Sequence, residues 1–160
     1  MAKGDLERIK GQYAVLQKKY KLPSFDELNN DFDIEKLQER ESDHLLKLVR
    51  MTIIEKVAAI VRFLEVFLNP SEAPTPLFIY ALLKNTKIEV RKEIEVLYKE
   101  LSRVELSSIS LDIDHDEKEE AIFVAEFYKM WLRDKTKLKE ITMKLGMNWN
   151  KDSKVRNYLG

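Results

Sequence analysis

From Leu45 to Leu68 the chain is apolar on nearly every side of a helix, through Ile53, Ile54, Val57, Ile60, Val61, Leu64, Phe67 and Leu68. A helix of that kind must be surrounded by others. The segment therefore constrains the fold more than any other and is expected at the centre of a bundle. It carries Glu55, Lys56, Arg62 and Glu65, too many charges for a membrane span. Buried charges usually pair, so Glu55, Arg62 and Glu65 are expected as an ion-pair set or a narrow polar edge on it.

The rest of the chain reads as helix too. Only four glycines and four prolines punctuate 160 residues, and apolar residues recur at helical spacing between them. The expectation is an all-α, single-domain bundle of five or six helices around a long, largely buried central helix. Helices are placed near 4–20, 24–31, 33–69, 76–84, 87–107 and 115–145, the third breaking near Ser42. The domain is expected over 1–145, with 146–160 a mobile tail after Gly146 ends the last helix.

Several helix starts have a mechanism. Ser24 with Glu27, and Thr86 with Glu89, have capping-box spacing, in which the hydroxyl accepts from a first-turn amide while the carboxylate reaches back. Thr75 before Pro76 supplies a cap and a proline at the first helical position. Asp33 is placed to cap "DIEKLQ". One segment departs from the helical period: "SISLDID" alternates, putting Ile109, Leu111 and Ile113 on one side of an extended backbone, and predicts a short extended connector near 108–113.

The connector leads into "LDIDHDEKEE", the most site-like stretch. Asp112, Asp114 and Asp116 match three positions of an EF-hand loop, but Glu117 stands where the turn needs glycine and Phe123 where a bidentate glutamate closes the site. The two histidines each follow an acid by three residues, Glu41 with His44 and Asp112 with His115. That spacing sets two ligands on one helical face, as in di-iron bundles, so Glu41, His44, Asp112 and His115 are the candidate metal ligands. The preferred reading is helix punctuation: Asp114 as N-cap, Glu117 in a capping arrangement, and Asp116, Glu119 and Glu120 facing the positive helix end.

Composition narrows the function classes. The absence of cysteine removes disulfides and thiol chemistry and fits a reducing, cytoplasmic setting. Glycines only at 4, 11, 146 and 160 exclude a Walker loop, a dinucleotide fingerprint and a nucleophile elbow. Twenty-eight basic residues balance 28 acidic ones, with the basic excess at the two ends. Lys18, Lys19, Lys21, Lys129, Arg133, Lys135, Lys137 and Lys139, interleaved with Tyr20, Tyr128 and Trp131, form a candidate nucleic-acid surface. Residues 76–101 have a helix-turn-helix outline, but Glu89, Glu93 and Glu95 crowd the recognition helix.

By exclusion, the expected function is that of a non-enzymatic helical interaction or scaffold module. It needs no cofactor, small-molecule ligand or membrane, and its partner is another protein or a second copy. The expected contact is the last helix, through Phe127, Trp131, Leu138 and Ile141.

Overall fold

The computed structural model describes residues 2–39 and 43–156. It is 88% helical, and no strand occurs among the described residues, so the chain is an all-α helical bundle. The elements are α1 (Ala2–Tyr20), α2 (Phe25–Phe32), a 3-10 helix (Ile34–Glu39), α3 (Leu45–Leu68), a short 3-10 turn (Pro70–Glu72), α4 (Pro76–Lys84), α5 (Ile88–Ile113) and α6 (Glu117–Arg156). Among the described residues, no helix is long and apolar enough to cross a membrane.

The helix ends follow local chemistry, with instructive exceptions. Ser24 and Glu27 make the reciprocal capping box at α2, and Pro76 begins α4 after Thr75. Asp33 instead terminates α2 in the left-handed region, with φ 54°. Thr86 spends its hydroxyl on the Leu82 carbonyl and is not a cap for α5. At α6 the capping acid is Asp116, whose carboxylate accepts from the Glu119 amide at 2.9 Å, not Asp114.

Two expectations about element length are corrected. Residues 108–113 are the last turns of α5, not an extended connector. Ile109 and Ile113 are left exposed, and backbone hydrogen bonding extends the helix as far as the Asp114 amide, which donates to Ser110. Gly146 does not end α6, and residues 146–156, expected as a tail, continue that helix. Residues 157–160 lie outside the described residues.

Contacts group the chain into two compact units, one formed by Met1–Ala58 with Val104–Trp131 and the other by Ala59–Arg103 with Leu132–Gly160. In the first, Tyr13 of α1 donates to the Pro23 carbonyl at 2.8 Å and meets the edge of Phe25. Leu28, Leu37, Leu46, Ile53, Val57 and Val124 fill its core. In the second, Leu64 of α3, Leu82 of α4, Ile94, Leu97 and Leu101 of α5, and Ile141 and Leu145 of α6 are buried. Asn148 donates to the Leu82 carbonyl and to Thr86 at the end of α4, which satisfies a helix terminus from within the unit.

The central-helix expectation also needs revision in detail. α3 buries one face through Leu46, Val49, Ile53, Val57, Val61 and Leu64, while Met51, Phe63 and Leu68 are exposed. Glu55, Arg62 and Glu65 also face outward. Of the two arrangements expected for them, this is the narrow polar edge.

Gly11 and Gly146 lie inside helices, and a Cβ added at either would meet nothing within 4 Å. Gly11→Ala and Gly146→Ala are each expected to stabilise the protein by about 0.5–1 kcal/mol in urea unfolding, by removing backbone entropy from the unfolded chain. A loss of stability would contradict the helical placement.

Candidate functional site

One polar cluster is built into the first unit, and its anchor is a residue the sequence reading passed over. Arg50 falls on the apolar face of α3, in register with Leu46, Ile53 and Val57, and is only 1% exposed. Its Nε donates to Glu120 Oε2 at 2.7 Å. One terminal nitrogen donates to the Ser108 carbonyl at 3.1 Å and to the Ser108 hydroxyl. The other donates to Asp112 Oδ1 at 2.6 Å and Glu120 Oε1 at 3.2 Å. All five guanidinium N–H groups therefore have acceptors, the condition under which a buried charge is tolerated.

Each partner comes from a defined place in the sequence. Ser108 and Asp112 are four apart and share one face of α5, a relation that the helical course of 108–113 makes possible. Glu120 is in the first turn of α6, fully buried, where the helix dipole favours a carboxylate. Burial pulls Arg50 toward neutrality, but the hydrogen bonds and charges of Glu120 and Asp112 outweigh it and raise the guanidinium's pKa. The hydrogen bond from Arg50 lowers that of Asp112.

The two histidines meet beside this cluster. His115 Nδ1 is 3.2 Å from Glu120 Oε1, and His115 Nε2 is 3.2 Å from His44 Nδ1. Their rings cross at 65° with centroids 4.5 Å apart. Of the expected metal ligands, His44 and His115 converge and Asp112 is committed to Arg50. Glu41 lies outside the described residues. No group of three or more His, Cys, Asp or Glu among the described residues is placed to hold a metal ion.

The expected partner-binding stripe turns out to be core. Phe127, Trp131 and Ile141 are buried and Leu138 is half-buried. Phe127 and Trp131 pack with Phe32 in an aromatic cluster, and the Trp131 indole donates to Asp31 at 3.0 Å. Helical spacing of aromatics signals a buried face, and within the first unit Phe32 of α2 packs on Phe127 and Trp131.

The basic residues are divided between the units. Lys18, Lys19, Lys21 and Lys129 belong to the first, and Arg133, Lys135, Lys137 and Lys139 to the second. Lys19 pairs with Glu117, Lys129 with Glu126, and Arg133 with both Glu100 and Asp134. Lys137 and Lys139 are exposed. The first unit holds 13 Lys and Arg against 19 Asp and Glu, a net charge of −6; the second holds 15 against 9, a net of +6.

An apolar groove of about 490 Å³ opens on the second unit, lined by Pro74, Thr75, Pro76, Leu77, Phe78 and Trp149. Leu77 is 78% exposed, Phe78 42% and Trp149 38%. Phe78 and Trp149 meet edge to face with ring centroids 5.1 Å apart. The groove was not legible in the sequence, because it depends on α6 continuing as a helix through residue 149.

Comparison with family models, with curated proteins and with solved structures gave no match.

Two outcomes test the cluster. Arg50→Met leaves the buried Glu120 carboxylate without its cation and is expected to cost about 3–5 kcal/mol in denaturant unfolding; replacing both residues by apolar ones should recover much of that loss. The hydrogen bond from Arg50 lowers the folded pKa of Asp112, so its contribution is present above the unfolded value of about 3.9 and is lost as pH falls through the lower folded value. Asp112→Asn should therefore make stability fall less steeply below about pH 4. The change should be under about 1 kcal/mol because the Asp112 side chain is half exposed.

Proposed function

We propose that the chain is a non-enzymatic helical module that binds another protein. The groove at the start of α4 would take an apolar anchor side chain from a partner segment with acidic flanks. The observation that carries this reading is the grouping of exposed Leu77 and Phe78 with Trp149 around one concave site that Pro74 and Pro76 also line. Exposed apolar surface of this kind marks interaction sites, and a few anchor side chains seated in pockets carry most of the energy of binding. The +6 charge of the same unit supports acidic flanks on the partner, since complementary charge steers encounter and fixes register. The absence of cysteine supports a reducing, cytoplasmic setting.

Selection from a displayed library of random peptides tests this reading. Enrichment of sequences with one large apolar residue among Asp and Glu is expected, with binding lost in Leu77→Asp and Trp149→Ser variants that keep their helical content. Failure to enrich, or peptides indifferent to both substitutions, would contradict it.

The charge of the second unit also supports nucleic-acid binding through exposed Lys137 and Lys139 on α6. On that reading, single-stranded RNA or DNA shifts at low salt, and the shift weakens in Lys137→Glu/Lys139→Glu. No shift at low salt removes it.

A further inference from the structure

We infer that His44 and His115 form a two-histidine site for a divalent transition metal of the zinc class, with water completing the coordination. The inference is independent of the groove. Two Zn–N bonds of about 2.0–2.1 Å at a tetrahedral angle hold their nitrogens roughly 3.3 Å apart, and His44 Nδ1 lies 3.2 Å from His115 Nε2. The two imidazoles come from different segments, one just before α3 and one between α5 and α6, so their convergence is a product of the fold.

The arrangement behind His115 matches what a ligating histidine requires. A metal-bound imidazole donates its other ring N–H to a carboxylate, which fixes the tautomer and strengthens the ligand. His115 presents Nδ1 to Glu120 at 3.2 Å, and Glu120 is itself held in place by two hydrogen bonds from Arg50. With the proton on Nδ1, the His115 Nε2 lone pair faces His44. The rings cross at 65°, so directing both lone pairs at one ion takes a turn of the His44 ring. The His44 position is exposed, so solvent water reaches the space beside the two rings.

The surroundings favour a cation. Exposed Asp43, Asp114 and Asp116 flank the two histidines in sequence, within a unit of net charge −6. Arg50 opposes this, but its charge is matched by Glu120 and Asp112. Imidazole nitrogens select zinc, copper and nickel over magnesium and calcium, which demand oxygen ligands.

Calorimetric titration of the full untagged chain with zinc chloride, beside magnesium and calcium chlorides, tests the site. Saturable binding of one zinc per chain is expected, with none for the other two. His44→Ala and His115→Ala should each weaken zinc binding at least tenfold, since losing a ligand costs no less than the roughly 10- to 100-fold loss of an outer partner. Both histidines lie at the surface, and unchanged circular dichroism would confirm that the variants fold. Zinc should also raise the melting temperature of the parent chain but not of either variant. Leu77→Asp should leave the titration unchanged, so this result and that of the peptide selection are separable. Absence of saturable zinc binding, or binding equal in the parent and both variants, would overturn the inference.

Discussion

A guanidinium with almost no exposure to solvent needs an acceptor for each of its five N–H groups, and Arg50 finds them on two other helices. That requirement ties α3, α5 and α6 together within the first unit more specifically than apolar packing does. Apolar faces tolerate small shifts in register, whereas a forked donor against two carboxylates, a hydroxyl and a carbonyl does not. Arg50 and three residues from a distant stretch of the chain, Ser108, Asp112 and Glu120, are thus held in one arrangement. The position of His115 is tied to it, because Glu120 meets both Arg50 and His115.

The cluster also gives meaning to the stretch Leu111–Glu120. As punctuation it ends one helix and starts the next, with Asp116 as the cap. The same residues supply Asp112 and Glu120 to a buried cation and leave His115 at the surface. Structural and chemical roles are divided residue by residue along ten positions, which explains how so acidic a segment is accommodated.

The sequence was informative where local chemistry decides the outcome. The all-α class, the capping box at Ser24 and Glu27 and the Pro76 helix start were all legible, because each depends on a few neighbouring residues. Period-two spacing at 108–113 misled, since a run of six residues carries too little pattern to outweigh the hydrogen bonding of a helix already under way. Gly146 misled for a related reason: a glycine can end a helix, but α6 continues past it. The histidine pair was half legible. Spacing pointed to His44, Asp112 and His115, while their convergence, and the diversion of Asp112 to Arg50, depend on tertiary packing. A signal for Arg50 was present, in that one charge interrupts an apolar face at helical period. The apolar character of the segment on all its sides hid that face.

The central claim is that Arg50 is a buried, fully hydrogen-bonded cation, and the most direct measurement is NMR of the arginine side chains in nitrogen-15-labelled protein. Arg50 should give a slowly exchanging Nε–H and separately resolved terminal N–H signals, with its guanidinium rotation frozen by Ser108, Asp112 and Glu120. Those signals should disappear in Arg50→Met. An Arg50 guanidinium that exchanges rapidly and gives one averaged terminal signal, as a solvated arginine does, would contradict the account.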